Sequence, residues 1–129
     1  MAKTKHFTIT VDNRPGAAAA IAKTLGSAKV NILALLGTAQ GATGTVQFVA
    51  ENPKQAKKAL DAARLSYKEA PAETYHLANK AGALAGCLGK LAARGVNLNS
   101  IYATAAKGGK TANVVVTVQS ESAMAAGAS

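Results

Sequence analysis

The sequence predicts an α+β protein, built as two small antiparallel sheets in tandem, each carrying its helices on one face. Three observations point there. A motif recurs at a separation of 66 residues, Asn13-Arg14-Pro15-Gly16-Ala17 returning as Asn79-Lys80-Ala81-Gly82-Ala83, so one supersecondary unit is used twice. Within each copy, strand-like alternation and helical apolar spacing follow one another in the same order. Aromatic residues are 4% of the chain and Trp is absent, so the core consists of Ala, Leu, Val and Ile, which suits close packing of helix on sheet.

The likeness between copies runs well past the motif. Ala19 matches Ala85, Leu25 matches Leu91, Val30-Asn31 matches Val96-Asn97, Thr38-Ala39 matches Thr104-Ala105 and Thr45 matches Thr111. Arg14 with Lys80, Ile21 with Cys87, Ile32 with Leu98 and Leu35 with Ile101 are conservative pairs. The expected division is a first unit over 1–70 and a second over 71–129. Units of about 60 residues bury only about 60% of the surface of their unfolded chains. Packing of the halves together, or pairing with a second chain, is therefore expected.

Each element has a local cause. Phe7, Ile9 and Val11 alternate with Thr8 and Thr10, the period of a half-buried strand over His6 to Val11. Asp12-Asn13-Arg14 breaks it, and Pro15 is expected as the first helical residue, where a missing N–H is harmless. Ala18, Ile21, Ala22, Leu25 and Ala28 form the apolar stripe of a helix. Val30 to Leu36 reads as a second strand, Gly37, Gly41 and Gly44 as a glycine-rich hairpin, and Thr45 to Ala50 as a third strand. Asn52-Pro53 signals a capped helix start, with Ala56, Leu60 and Ala63 facing inward, and Leu65 to Lys68 leaves room for a short fourth strand.

The second copy repeats this with a strand over Thr74 to Leu77, a helix over Gly82 to Arg94, a strand over Val96 to Ala103, a turn at Lys107 to Lys110 and a strand over Thr111 to Val118. Only a short helix through Ala123 to Ala126 is then expected, so the second unit is truncated and lacks a clear final strand. Its sheet edge calls for completion by an element of the first unit or by a second chain. The order of elements is the ferredoxin-like βαββαβ arrangement, which ordinarily leaves the second face of the sheet exposed.

Net charge is +9 with a pI of about 10.0, which raises nucleic acid as a partner. The basic residues are scattered from Lys3 to Lys110, and the one local group, Lys54, Lys57, Lys58, Arg64 and Lys68 with Asp61 among them, has the spacing of a solvated helix face. The single cysteine, Cys87, matches Ile21 and reads as a small buried hydrophobe. No apolar run approaches the roughly 20 residues of a membrane span, nor does the N-terminus carry a signal-peptide pattern. A cytoplasmic protein is expected.

A strand ending in Val11-Asp12-Asn13-Arg14-Pro15-Gly16-Ala17, an apolar-striped helix and a strand opening at Val30-Asn31-Ile32 together resemble the ACT domain, the small-molecule-sensing module attached to many amino-acid biosynthetic enzymes. Asn79-Lys80-Ala81-Gly82-Ala83-Leu84 and Gly95-Val96-Asn97-Leu98 resemble it again. The resemblance covers nearly the whole chain and implies tandem ACT repeats with no catalytic domain attached. It also implies a regulatory protein, paired as a homodimer or with a partner enzyme. A free amino acid or similar metabolite would bind where two such units pair side by side, between the strand-to-helix loop of one and the second strand of its neighbour. The site residues implied are Asp12, Asn13, Arg14, Pro15, Gly16, Ala17, Ala18, Asn31 and Ile32, with Asn79, Lys80, Gly82, Ala83, Leu84, Asn97 and Leu98 as their image.

The chemistry of such a site is readable on its own. Gly16 and Gly82 lack a side chain to bar a ligand from the backbone, and the N–H groups opening each helix favour an anion. An Asn amide can accept from an ammonium and donate to a carboxylate, which is what a zwitterion requires. The same residues also suit plain structure, Gly16 as a tight turn and Asn31 as a partner for backbone groups. Two departures separate the copies: Ala81 stands where the first loop has Pro15, and Ala78 where it has Asp12.

Other constellations fail. Gly109-Lys110-Thr111 imitates the end of a phosphate-binding loop, but Thr104 replaces its first glycine and a strand follows. His6, His76 and Cys87 lack metal-ligand spacing. Asp and Glu total 6, and no nucleophile, base and orienting acid present themselves, so neither an enzyme nor a cofactor is expected. Two alternatives remain: an interaction module without a ligand, and an RNA-binding sheet of the same topology, for which Phe48 is the single third-strand aromatic.

Overall fold

The computed structural model describes residues 2–118. The chain divides into two compact units, Lys5–Glu69 and Met1–Thr4 together with Ala70–Ser129. The first strand therefore starts earlier than its alternation suggests: β1 is Ala2–Asp12, and its opening residues group with the other unit.

In the first unit β1 is followed by α1 (Ala17–Ser27), β2 (Ile32–Gln40), β3 (Thr43–Ala50) and α2 (Pro53–Ala62). β3 pairs antiparallel with both β1 and β2, and the register sets Phe7 opposite Phe48 and Ile9 opposite Val46. These side chains bury against Ile21 and Leu25 of α1 and Ala56 and Leu60 of α2. The Phe7 and Phe48 rings stack with centroids 5.2 Å apart and Tyr67 meets Phe7 edge-on at 5.7 Å, contacts worth about 0.5–1.5 kcal/mol each beyond their area.

The two proline signals resolve differently. Pro53 opens α2 as expected, with Asn52 Oδ1 accepting from the Gln55 N–H at 3.2 Å. Pro15 instead lies in the turn before α1, because Gly16 takes the left-handed conformation at φ 87° as the N-cap and breaks the helical path between Pro15 and Ala17. In the hairpin only Gly41-Ala42 form the turn; Gly37 and Gly44 lie inside strands. Gly44 is needed for close approach, since an added Cβ would stand 2.5 Å from the Thr38 carbonyl oxygen.

The short strand expected at Leu65 to Lys68 does not form as a separate element. Residues 65–67 are irregular, and one strand, β4 (Lys68–Ala78), spans both the end of the first copy and the start of the second. It is in register with β6 only from Ala72, one residue past Pro71, which has no N–H to give a ladder.

The second unit continues with α3 (Ala83–Ala93), β5 (Leu98–Ala105) and β6 (Thr111–Val118), β6 pairing antiparallel with β4 and β5. Leu91, Val114, Val116 and Val118 form its buried core. Among the described residues it has no counterpart of α2; the helix expected at Ala123 to Ala126 lies outside them. Cys87 is only half-buried, whereas Ile21 is 4% exposed in a cluster that α2 helps to close.

The register also corrects the repeat. Asp12 pairs with Thr43, and Ala78 with Thr111, so beyond the hairpin the separation is 68, as from Thr43 to Thr111. The counterpart of Thr45 is thus Asn113 rather than Thr111, because the second hairpin is longer, turning through Gly108 at φ 77° with the Gly109 N–H donating to the Ala106 carbonyl at 2.8 Å. The second face of the strands is not the open surface expected: opposite the helix-facing residues, His6, Val49, Ala72, Val115 and Thr117 are buried.

Candidate functional site

Each unit carries a groove where its first strand-to-helix loop meets its hairpin. In the first unit the groove holds 220 Å³ and is bordered by Asp12, Asn13, Arg14, Ala17 and Ala18 from the loop and α1, and by Thr38 and Thr45 from the hairpin strands. In the second it holds 240 Å³, bordered by Ala78, Asn79, Lys80, Ala83, Leu84 and Thr104. With the corrected register, every residue lining the second groove is the counterpart of one lining the first.

The asparagines build these grooves. The Asn13 N–H donates to the Ala42 carbonyl at 2.9 Å and its Nδ2 to the Gly41 carbonyl at 2.8 Å, tying loop to hairpin. Asn79 does the same, its N–H donating to Lys110 at 3.0 Å and its Nδ2 to Gly109 at 2.9 Å and Ala106 at 3.3 Å. Gly16 and Gly82 both sit at φ 87°, with no atom within 4 Å of an added Cβ. The left-handed backbone calls for glycine there, and the space beside it is open. Neither helix has a side-chain N-cap, so its N-terminal dipole faces the groove end without a competing oxygen.

Charge separates the two grooves. The first is flanked by both signs, Asp12 Oδ2 lying 3.9 Å from Arg14 Nε, with both side chains mostly exposed; a pair so solvated contributes little to stability. The second has Lys80 alone, because Ala78 replaces the acid.

Not all the expected residues meet. Pro15 and Gly16 lie in the turn before α1 and do not line the first groove, nor does Gly82 line the second. Asn31 precedes β2 at its far end, where Nδ2 donates to Glu51 Oε2 at 3.1 Å and the Glu51 N–H returns to the Asn31 carbonyl at 2.9 Å. From there to the hairpin end, β2 runs about 25 Å at roughly 3.3 Å per residue. Within one unit, Asn31 and Ile32 therefore cannot share a small ligand with the Asn13 loop. Asn97 likewise precedes β5, and Leu98 lies at its start against the core. The hairpin members Gly37, Thr38, Thr45 and Thr104 were not expected. Their signal was the recurrence of Thr38-Ala39 as Thr104-Ala105, and Thr38 and Thr45 share a hydroxyl hydrogen bond of 2.8 Å.

Phe48, the aromatic an RNA-binding sheet would present, is fully buried against Phe7. Lys54, Lys57 and Lys58 lie exposed on α2, Lys57 Nζ 3.7 Å from Glu69, as a solvated face should. Among the described residues no cluster of His, Cys, Asp and Glu could hold a metal ion, and no helix is long and apolar enough to cross a membrane.

Comparison with solved structures decides the fold. The chain is similar to protein BT0572 from Bacteroides thetaiotaomicron, at 25% identity and TM-score 0.82 over 96% of this chain and 85% of that one. It is also similar to the ligand-free regulatory subunit of aspartate kinase from Thermus thermophilus, at 16% identity and TM-score 0.68 over 98% and 91%. The Thermus flavus regulatory subunit of aspartate kinase matches at 16% identity and TM-score 0.63 over 98% and 88%. The chain has a tandem ACT fold. No family model matches the sequence, and no curated protein matches it. The ACT-like βαββ core, complete in both units, sets each loop and hairpin side by side and so forms the grooves.

Proposed function

We propose that this chain is a small non-catalytic regulatory protein that binds a free amino acid or related metabolite in the grooves of its ACT-like units. The observation that carries the reading is the recurrence of the groove, lining residue for lining residue, in two units whose cores have otherwise diverged. The first groove, with Asp12 and Arg14 beside the uncapped start of α1, suits a zwitterion. Asn31 and Ile32 lie too far away within a unit, so their part in the site requires another unit, which we assign to a second copy of the chain. A homodimer follows, with occupancy passed to a partner enzyme.

A panel of free amino acids in a thermal-unfolding assay tests this. At 100 times its dissociation constant a ligand stabilises by about 2.7 kcal/mol, and the double variant Asp12→Ala, Arg14→Ala removes the share of the shift that the first groove contributes. A panel with no shift sinks the reading. It would favour an interaction module instead, for which β2 offers a reason: its outer side lacks a partner strand within the unit, and Leu33 and Leu35 on it are 57% and 41% exposed.

A further inference from the structure

The two loop grooves share a plan, but their charges and walls do not match. In the first, Asp12 and Arg14 set both signs beside the loop, and the hairpin turn Gln40-Gly41-Ala42 is uncharged. In the second, Ala78 and Lys80 take those loop positions, and none of the residues lining the groove is acidic. Its hairpin adds Lys107 and Lys110, the latter at the position of Ala42. The backbone brings Lys110 to the loop, its carbonyl accepting the Asn79 N–H at 3.0 Å. Ala112 and Val114, two and four residues on, line the groove, and strand alternation sets Lys110 on their side.

The walls differ too. Leu84, Ala103 and Ala112 stand where the first groove has Ala18, Gly37 and Gly44. The second groove is therefore richer in apolar surface, yet at 240 Å³ it is no smaller than the first at 220 Å³. Core packing does not explain the changes, since Ala78, Lys80, Leu84 and Ala103 are all exposed. Thr104 differs from Thr38 in its neighbour. Thr38 shares a hydroxyl hydrogen bond with Thr45, whereas Thr104 lies opposite Asn113 and keeps its hydroxyl for another acceptor.

An amino acid brings a carboxylate and an ammonium, and the first groove has a side chain for each. Beside the second, a carboxylate finds Lys80 and Lys110, while an ammonium meets only like charge. We infer that the second groove binds a short, branched 2-oxo carboxylate, the amino-acid skeleton without its ammonium. Its carboxylate lies towards Lys80 and Lys110, its oxo oxygen accepts from Thr104, and its apolar end lies along Leu84, Ala103 and Ala112. This rests on the reading of the grooves as ligand sites and divides their ligands between them.

The matched probes are 4-methyl-2-oxopentanoate and leucine, which differ only at the α-carbon, titrated into the full chain by amide NMR. The amides of Ala83, Leu84 and Thr104 report the second groove, and those of Ala17, Ala18 and Thr38 the first. The oxo acid shifts the second set saturably, and leucine binds there at least tenfold more weakly. Lys80→Gln weakens the oxo acid about fivefold, the effect of losing one exposed charge partner. Ala78→Asp, which restores the acid of the first copy at an exposed position, weakens it by a similar factor and narrows the preference over leucine. No saturable shift of the second set, equal affinity for leucine, or a preference unmoved by Ala78→Asp overturns the inference. The amino-acid panel fails or succeeds separately: a hit on the first groove with a silent second one leaves that reading standing without this inference, and the oxo acid on the second groove with an empty panel does the reverse.

Discussion

Lys29 and Gly95 hold the same place in the two copies, each ending a helix in the left-handed conformation at φ 61° and 72°. Around them the bonds are alike: the Val30 N–H donates to Leu25 at 2.9 Å and the Val96 N–H to Leu91 at 3.1 Å. A lysine in that conformation costs about 1–2 kcal/mol, and glycine returns about 0.5–1 kcal/mol of that in chain entropy. Lys29→Gly therefore stabilises by about 0.5–1 kcal/mol in denaturant unfolding; a loss of stability would contradict the cap geometry. His6 supplies a second expectation. It is 3% exposed, and desolvation by burial lowers its pKa below the ordinary 6.5. The unfolded chain then takes up the proton more readily, so this contribution is intact above about 6.5 and is lost as pH falls from there towards the lowered folded value. His6→Asn flattens the slope of unfolding free energy against pH in that window, and an unchanged slope would exclude His6 as its source.

At the scale of elements, the helices show what was legible. The Asn52-Pro53 signal, read from two residues, became the capped start of α2, and Asn52→Ala is expected to cost about 1 kcal/mol, measured by chemical denaturation. The similar signal at Pro15 misled because the glycine after it, not the proline, takes the cap. Strand types were legible from alternation, but strand ends were not. β4 replaces the two short strands expected, meeting the first only at Lys68, since no glycine interrupts Lys68–Ala78 and Pro71 removes a single donor. The hairpin shift to a separation of 68, as from Thr43 to Thr111, was hidden because Thr45 and Thr111 are the same residue type, and identity alone cannot tell a register from a coincidence.

Across the whole molecule, the two copies share a backbone plan and differ in what lies beneath it. The first builds a core on Phe7 and Phe48; the second places Glu73 and Val116 in those positions. The loop residues of the candidate site were legible because turns and helix starts announce themselves locally. The hairpin threonines were visible as a repeat but had no role until β2 and β3 set them beside the loop. Asn31 was drawn to the site by resemblance, and the strand that follows it carries it to the opposite end of its unit. What the sequence by itself determined was the kind and order of the elements and the fact of duplication, because periodicity, caps and repeats are properties of neighbouring residues. Only the tertiary structure decided that residues 2–4 group with the second unit, that a glutamate is buried where the first copy has phenylalanine, and which side chains line a common groove. Those outcomes depend on contacts between residues far apart in the chain, and local pattern does not encode them.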